Sequence, residues 1–181
     1  MDELAKIIYI QYEVYFLLQT SQINKAKIRI VEINEIYESL SNKLTPIQMA
    51  SYHISLVNLN FILHDYSLAL KSLNHCLNDT ALKHYKTEYL YLRTLEPIIH
   101  IQQENINLFF YQIQSLKRIY PSYYDDYPEL TDFIHFFTDI EKGNVKINKL
   151  NELIETLATK FPLSKIMQLF KMISIGQIKA N

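Results

Sequence analysis

Only two glycines occur in 181 residues, alongside five prolines, one cysteine and no tryptophan. Strand-rich folds, phosphate-cradling loops and the sharp turns under catalytic serines all need positions that tolerate positive φ, and this chain has almost none to offer. The scarcity of glycine and proline points to an all-α fold joined by short polar connections. A lone cysteine, Cys76, excludes an internal disulfide and a cysteine-based zinc cluster. No apolar run reaches membrane-spanning length, and the first apolar stretch is broken by Gln11 and Glu13 and preceded by Met1-Asp2-Glu3, a poor secretory leader. A cytoplasmic protein with no membrane partner is the expectation. Net charge is −1, so nothing global attracts a polyanion.

What the chain does have is apolar residues, 49% of it, at helical spacing. The first pair of helices is expected over about 2–39. Asp2, Lys6 and Glu13 fall on one stripe of its first helix, with Leu4, Ile7, Ile8, Val14, Tyr15 and Leu18 opposite, which predicts one wet and one dry face. Thr45-Pro46-Ile47-Gln48 is the cleanest helix start, with a capping threonine, proline in the first turn and glutamine at capping-box spacing. It opens a second pair over about 45–78, turned at His64-Asp65. A third pair, 81–120, contains Pro97, which predicts a kink near Arg93 to Pro97. A fourth, 127–160, starts with Asp126 and Glu129 at capping-box spacing and has Gly143 as a left-handed helix cap. A terminal helix covers 164–178. About nine helices in consecutive antiparallel pairs, with Ala26 and Ala69 separated by 43 residues, form a single helical-repeat domain over 1–181.

Asp65-Tyr66 followed by Ala69, Leu70, Leu73 and Leu77 resembles the second helix of a tetratricopeptide repeat, in which a small alanine lets the paired helix approach. The likeness is best over 53–77, weaker over 10–34, and only architectural from residue 81. The family's first-helix tryptophan is His53 here, its turn glycine is His64, and its spacing of about 34 residues is exceeded. The resemblance implies a right-handed superhelical array whose first helices line a groove for a peptide or protein. Ser51, Ile54 and Asn58 would face that groove. Family members that grip a terminal carboxylate place a lysine where this chain has Ile54, so a carboxylate clamp is not implied.

The remaining chemistry is sparse. Six histidines, at 53, 64, 75, 84, 100 and 135, form no metal-binding spacing, and no cofactor or metal is expected. No acid–base pair, activated nucleophile or phosphate loop marks an enzyme. Tyr123, Tyr124 and Tyr127 lie in a turn and are either a candidate aromatic recognition surface or a loop folded back and packed. Residues 121–141 carry six acidic and no basic side chains, while 142–181 carry seven lysines against two glutamates. The apolar residues of the terminal helix, including Ile166, Phe170 and Ile173, cover most of its circumference, so it is expected to bury itself against a second copy or another protein, the alternative being that it tucks back against the preceding pair. The leading expectation is a non-catalytic scaffold for a protein or peptide. One alternative is a peptide-sensing regulatory domain, of the kind found in bacterial regulators. The other is nucleic-acid binding through the lysine-rich part, which the spread of those lysines around their helices and the lack of arginine disfavour.

Overall fold

A computed structural model describes residues 3–20, 22–40, 44–123, 125–167 and 170. The protein is all-α, and the described residues contain no strand. Among the described residues the α-helices follow in order: α1 (Glu3–Gln19), α2 (Ile23–Leu40), α3 (Pro46–Ile62), α4 (Tyr66–Asn78), α5 (Lys86–Gln102), α6 (Ile106–Ile119), α7 (Glu129–Glu141) and α8 (Leu150–Lys160). A further helical turn begins at Lys165. No helix among the described residues is long and apolar enough to cross a membrane.

Local chemistry accounts for the starts of α3 and α4. Thr45 and Gln48 form the expected capping box, with the Gln48 N–H donating to Thr45 Oγ1 and the Thr45 N–H donating to Gln48 Oε1 at 2.8 Å. Asp65 accepts the Leu68 N–H and starts α4. Two expectations are corrected. The third pair, expected from residue 81, does not open on its long helix there, because Asp79 accepts the Ala81 N–H, a 3₁₀ turn runs over Thr80–His84, and buried Leu82 anchors it before α5 begins. At α7, Asp126 does not cap. The helix begins after Pro128 without a side-chain cap, and Glu129 turns inward instead. The helix α5 runs unbroken through the buried Pro97.

One turn recurs through the chain. The N–H of Gln22 donates to the carbonyl of Leu17, Asp65 to Asn60, Asn105 to His100, and Asn144 to Asp139. Each reaches back five residues over a helix end, and successive copies lie roughly 40 residues apart. In three of them the preceding residue takes a left-handed conformation: His64 (φ 60°), Glu104 (φ 59°) and Gly143 (φ 74°). Gly143 is therefore the left-handed cap that its sequence position suggests. Such a turn leaves little chain between partners, so α1 packs on α2, α3 on α4 and α5 on α6, with α4 also against α5 and α6 against α7.

Two cores result. The smaller joins α1 and α2 through Ile7, Ile10, Val14, Leu17, Ala26, Ile33 and Tyr37, and reaches α3 at Leu59. Tyr37 stacks on Tyr52 with ring centroids 3.5 Å apart, and its hydroxyl donates to the Gln48 carbonyl. The larger runs from α3 to the start of the terminal helix and centres on α5, whose residues 90–100 are buried apart from Arg93, which is partly so. Ala69 is fully buried in it, as a close-approach position between paired helices should be.

Two outcomes follow. Glu104 pays for its left-handed backbone with no side-chain contact that explains its presence there. Glu104→Gly should raise unfolding free energy by about 0.5–1 kcal/mol in urea titration. Phe170 is fully buried against Tyr91 and Phe133, with centroids at 4.9 and 4.7 Å. Phe170→Ala should cost about 3–5 kcal/mol in the same measurement.

Candidate functional site

The residues expected to line a groove do not do so together. Ser51 is exposed on α3, but Ile54 is buried in the larger core and Asn58 is fully buried. Asn58 Oδ1 accepts a short hydrogen bond from the Tyr91 hydroxyl of α5. The physical reason is that α5 packs directly against α3, so a helix face that alignment would turn outward becomes an interior seam. A buried amide needs a partner, and Tyr91 supplies it.

The aromatic turn also folds back. The Tyr127 hydroxyl shares a hydrogen bond of 2.9 Å with Thr87 Oγ1, while Lys86 lies 5.9 Å from the centroid of the Tyr123 ring and pairs with Asp126 at 3.3 Å. Both tyrosines are half-buried against the larger core. Tyr124 lies outside the described residues. Beside this turn opens a cleft of about 590 Å³, lined by Tyr127, Glu129, Phe161, Leu163 and Lys165 among others. Glu129 is 3% exposed and accepts from Ser164, whose oxygen in turn accepts the Met167 N–H and caps the terminal helix.

That linkage changes the meaning of the terminal helix. Ile166 and Phe170 were expected to meet a second copy, yet both are fully buried in the chain's own core, with Met167 beside them. They have no surface to give to another molecule. Ile173 lies outside the described residues. The charge asymmetry is likewise met internally in part: Lys160 of the lysine-rich segment pairs with Asp132 of the acidic one at 3.0 Å, and Lys149 pairs with Glu152 at 2.6 Å.

Sequence reasoning missed two polar groups in the interior. Arg93 and Glu96 form an ion pair of 2.6 Å on α5, and Arg93 also donates to Ser115 of α6. Burial pushes the Glu96 carboxyl up, with Arg93 opposing that shift, while burial holds the nearby His100 imidazole down. The second group is a small cavity of about 210 Å³ between α3 and α4, lined by Met49, Ala50, His53, His75, Cys76 and Asp79 among others. The His53 and His75 rings lie 4.1 Å apart, and neither His53 ring nitrogen has a hydrogen-bond partner in the protein. Burial, and then the neighbouring His75, push His53 down to about 4, with Asp79 acting weakly the other way. Burial pushes the Cys76 thiol up to about 12, so it is protonated and a poor nucleophile at neutral pH. Among the described residues no group of three or more His, Cys, Asp or Glu is placed to hold a metal ion. Helical spacing alone could not pair residues 53 and 75, because they sit on different helices.

The face with free apolar surface is elsewhere. On α1, Ile8, Tyr9, Tyr12 and Phe16 are 54–68% exposed, and Ala5 is exposed beside them. On α2, Ile28 and Val31 are 68% and 58% exposed. The first helix was expected to show solvent a polar face, but its charges are spent on α2: Lys6 pairs with Glu32 at 2.9 Å, and Glu13 with Arg29 at 2.9 Å. The wet stripe became a helix–helix seam, and part of the dry one was left outside.

The histidine pair makes stability acid-sensitive. Between pH of about 6.5 and about 4 the unfolded chain protonates residue 53 while the folded chain does not, so acid favours unfolding. Stability from this residue is complete above about pH 6.5 and is lost as pH falls toward 4. Thermal unfolding across that interval should show His53→Phe with a flatter pH dependence than the parent, by roughly 1–2 kcal/mol after allowance for solvent screening. Equal slopes would show that His53 is not the group responsible. In comparisons with known proteins, no family model, no curated protein and no solved structure matches the chain.

Proposed function

We propose that this chain is a non-catalytic helical-repeat scaffold, a curved array of antiparallel helix pairs built like tetratricopeptide repeats, that docks a protein on the outward face of its first pair. The observation that carries the reading is the exposed apolar surface of α1 and α2, where Ile8, Tyr9, Tyr12, Phe16, Ile28 and Val31 are each more than half exposed. Isolated exposed apolar residues are ordinary. Four on one helix with no charged residue between them on that face are a docking surface. Aromatic and branched side chains supply affinity there by leaving water, at about 25 cal/mol per Å² of apolar area. The tyrosine hydroxyls orient the partner.

Two further observations support the reading. The five-residue turn recurring about every 40 residues is what an array of helix pairs uses to repeat itself. The buried Cys76 thiol, pushed up to about 12 by burial, is held in its unreactive protonated form at pH 7. One buried thiol and no disulfide suits a reducing compartment such as the cytoplasm.

Immobilised full-length protein tests the proposal by capture from cell lysate. Tyr12→Glu should reduce recovery of a bound protein about tenfold or more, while Leu163→Glu, at a residue 90% exposed far along the chain, should leave it unchanged. Equal recovery by the parent and Tyr12→Glu would place the docking surface elsewhere.

A further inference from the structure

The exposed face of α1 is specific enough to name its occupant, and this step rests on the docking reading above. Ala5, Ile8, Tyr9, Tyr12 and Phe16 recur at steps of three and four residues, forming one stripe along a helix about 25 Å long. We infer that this stripe binds the same stripe of a second copy of the chain, with the two α1 helices antiparallel about a two-fold axis.

Shape is the first argument. A two-fold axis passing midway between Ile10 and Gln11 sets Phe16 of one copy over Ala5 of the other, and Tyr9 against Tyr12. The largest ring at one end meets the smallest side chain at the opposite end, so the gap between helices stays even. A parallel pairing would stack Phe16 on Phe16 and leave Ala5 facing Ala5, which opens a wedge. An isologous interface requires a self-complementary patch, and the antiparallel register makes this one so.

Charge is the second argument. Like charges brought together across a two-fold axis repel, but the described residues of this stripe carry none. The nearest, Lys6 and Glu13, are held by Glu32 and Arg29 of the same chain. Area is the third. The four large side chains are 54–68% exposed and present roughly 500 Å² per copy, or roughly 1,000 Å² for two, the lower bound for a specific interface before the rim is added.

Sedimentation velocity of the full chain over a range of concentrations tests the inference. The parent should shift from one chain to two as concentration rises. Tyr12→Glu should raise the dimer dissociation constant about 100-fold or more, because each substitution is felt twice across the axis. Circular dichroism should show both proteins equally helical, since the residue is 68% exposed. Register is tested by charge. Tyr9→Lys alone and Tyr12→Asp alone should each dissociate the dimer, and the chain carrying both should recover association, because antiparallel pairing places each lysine against an aspartate. Failure of the double variant to recover overturns the antiparallel register. A parent that stays monomeric at every concentration overturns the second copy as occupant. If Tyr12→Glu still abolishes capture of a different protein in that case, the docking reading survives. A dimer indifferent to Tyr12→Glu overturns the α1 stripe as the self-association face.

Discussion

A helix buried along most of its length must find partners for the polar atoms it carries inside, and α5 finds them for most, Arg93 Nε and His100 Nδ1 excepted. Its residues are buried almost without break from Leu90 to His100, and burying an unpaired polar group costs on the order of 1–3 kcal/mol. The solutions tie its neighbours to it. Tyr91 donates to Asn58 and holds α3, Arg93 bridges Glu96 to Ser115 and holds α6, and Thr94 returns its hydroxyl to the Leu90 carbonyl. The Tyr91 and Phe133 rings close on Phe170, which brings the start of the terminal helix into the same core. Removing either member of the Arg93–Glu96 pair would strand the other in the interior.

The N-terminal pair stands outside that arrangement. It has its own smaller core, joined to the rest through α3, where Leu59 serves the first core while Val57 and Phe61 serve the second. Ion pairs along the seam between α1 and α2 consume the charges of α1 that might have covered its outer side. The consequence shows on the surface. The same economy that joins two helices leaves an uncharged aromatic stripe facing away from the molecule, and that stripe is the most distinctive surface among the described residues.

Much of the fold was legible from local chemistry. Thr45, Pro46 and Gln48 announce α3, Asp65 announces α4, and Gly143 marks the end of α7, because caps and turns depend on residues only a few positions apart. The candidate site was much less legible. Asn58 and Ile54 looked like groove residues because a helical wheel shows two faces and not which neighbour covers them. Ile166 and Phe170 looked unpartnered for the same reason, until Glu129 pinned Ser164 and turned that helix inward. His53 and His75 have no sequence relation at all. They meet because α3 and α4 fold back on each other across His64.

By itself the sequence determined the helices and the short turns that pair them, since scarce glycine, few prolines and three-to-four periodicity act within one or two helical turns. It also determined that Cys76 has no disulfide partner within the chain. Only the tertiary structure decided which apolar stripes became core and which stayed outside. Periodicity gives each helix a greasy flank, but burial depends on the neighbours that happen to arrive, and these are set by long-range packing around α5.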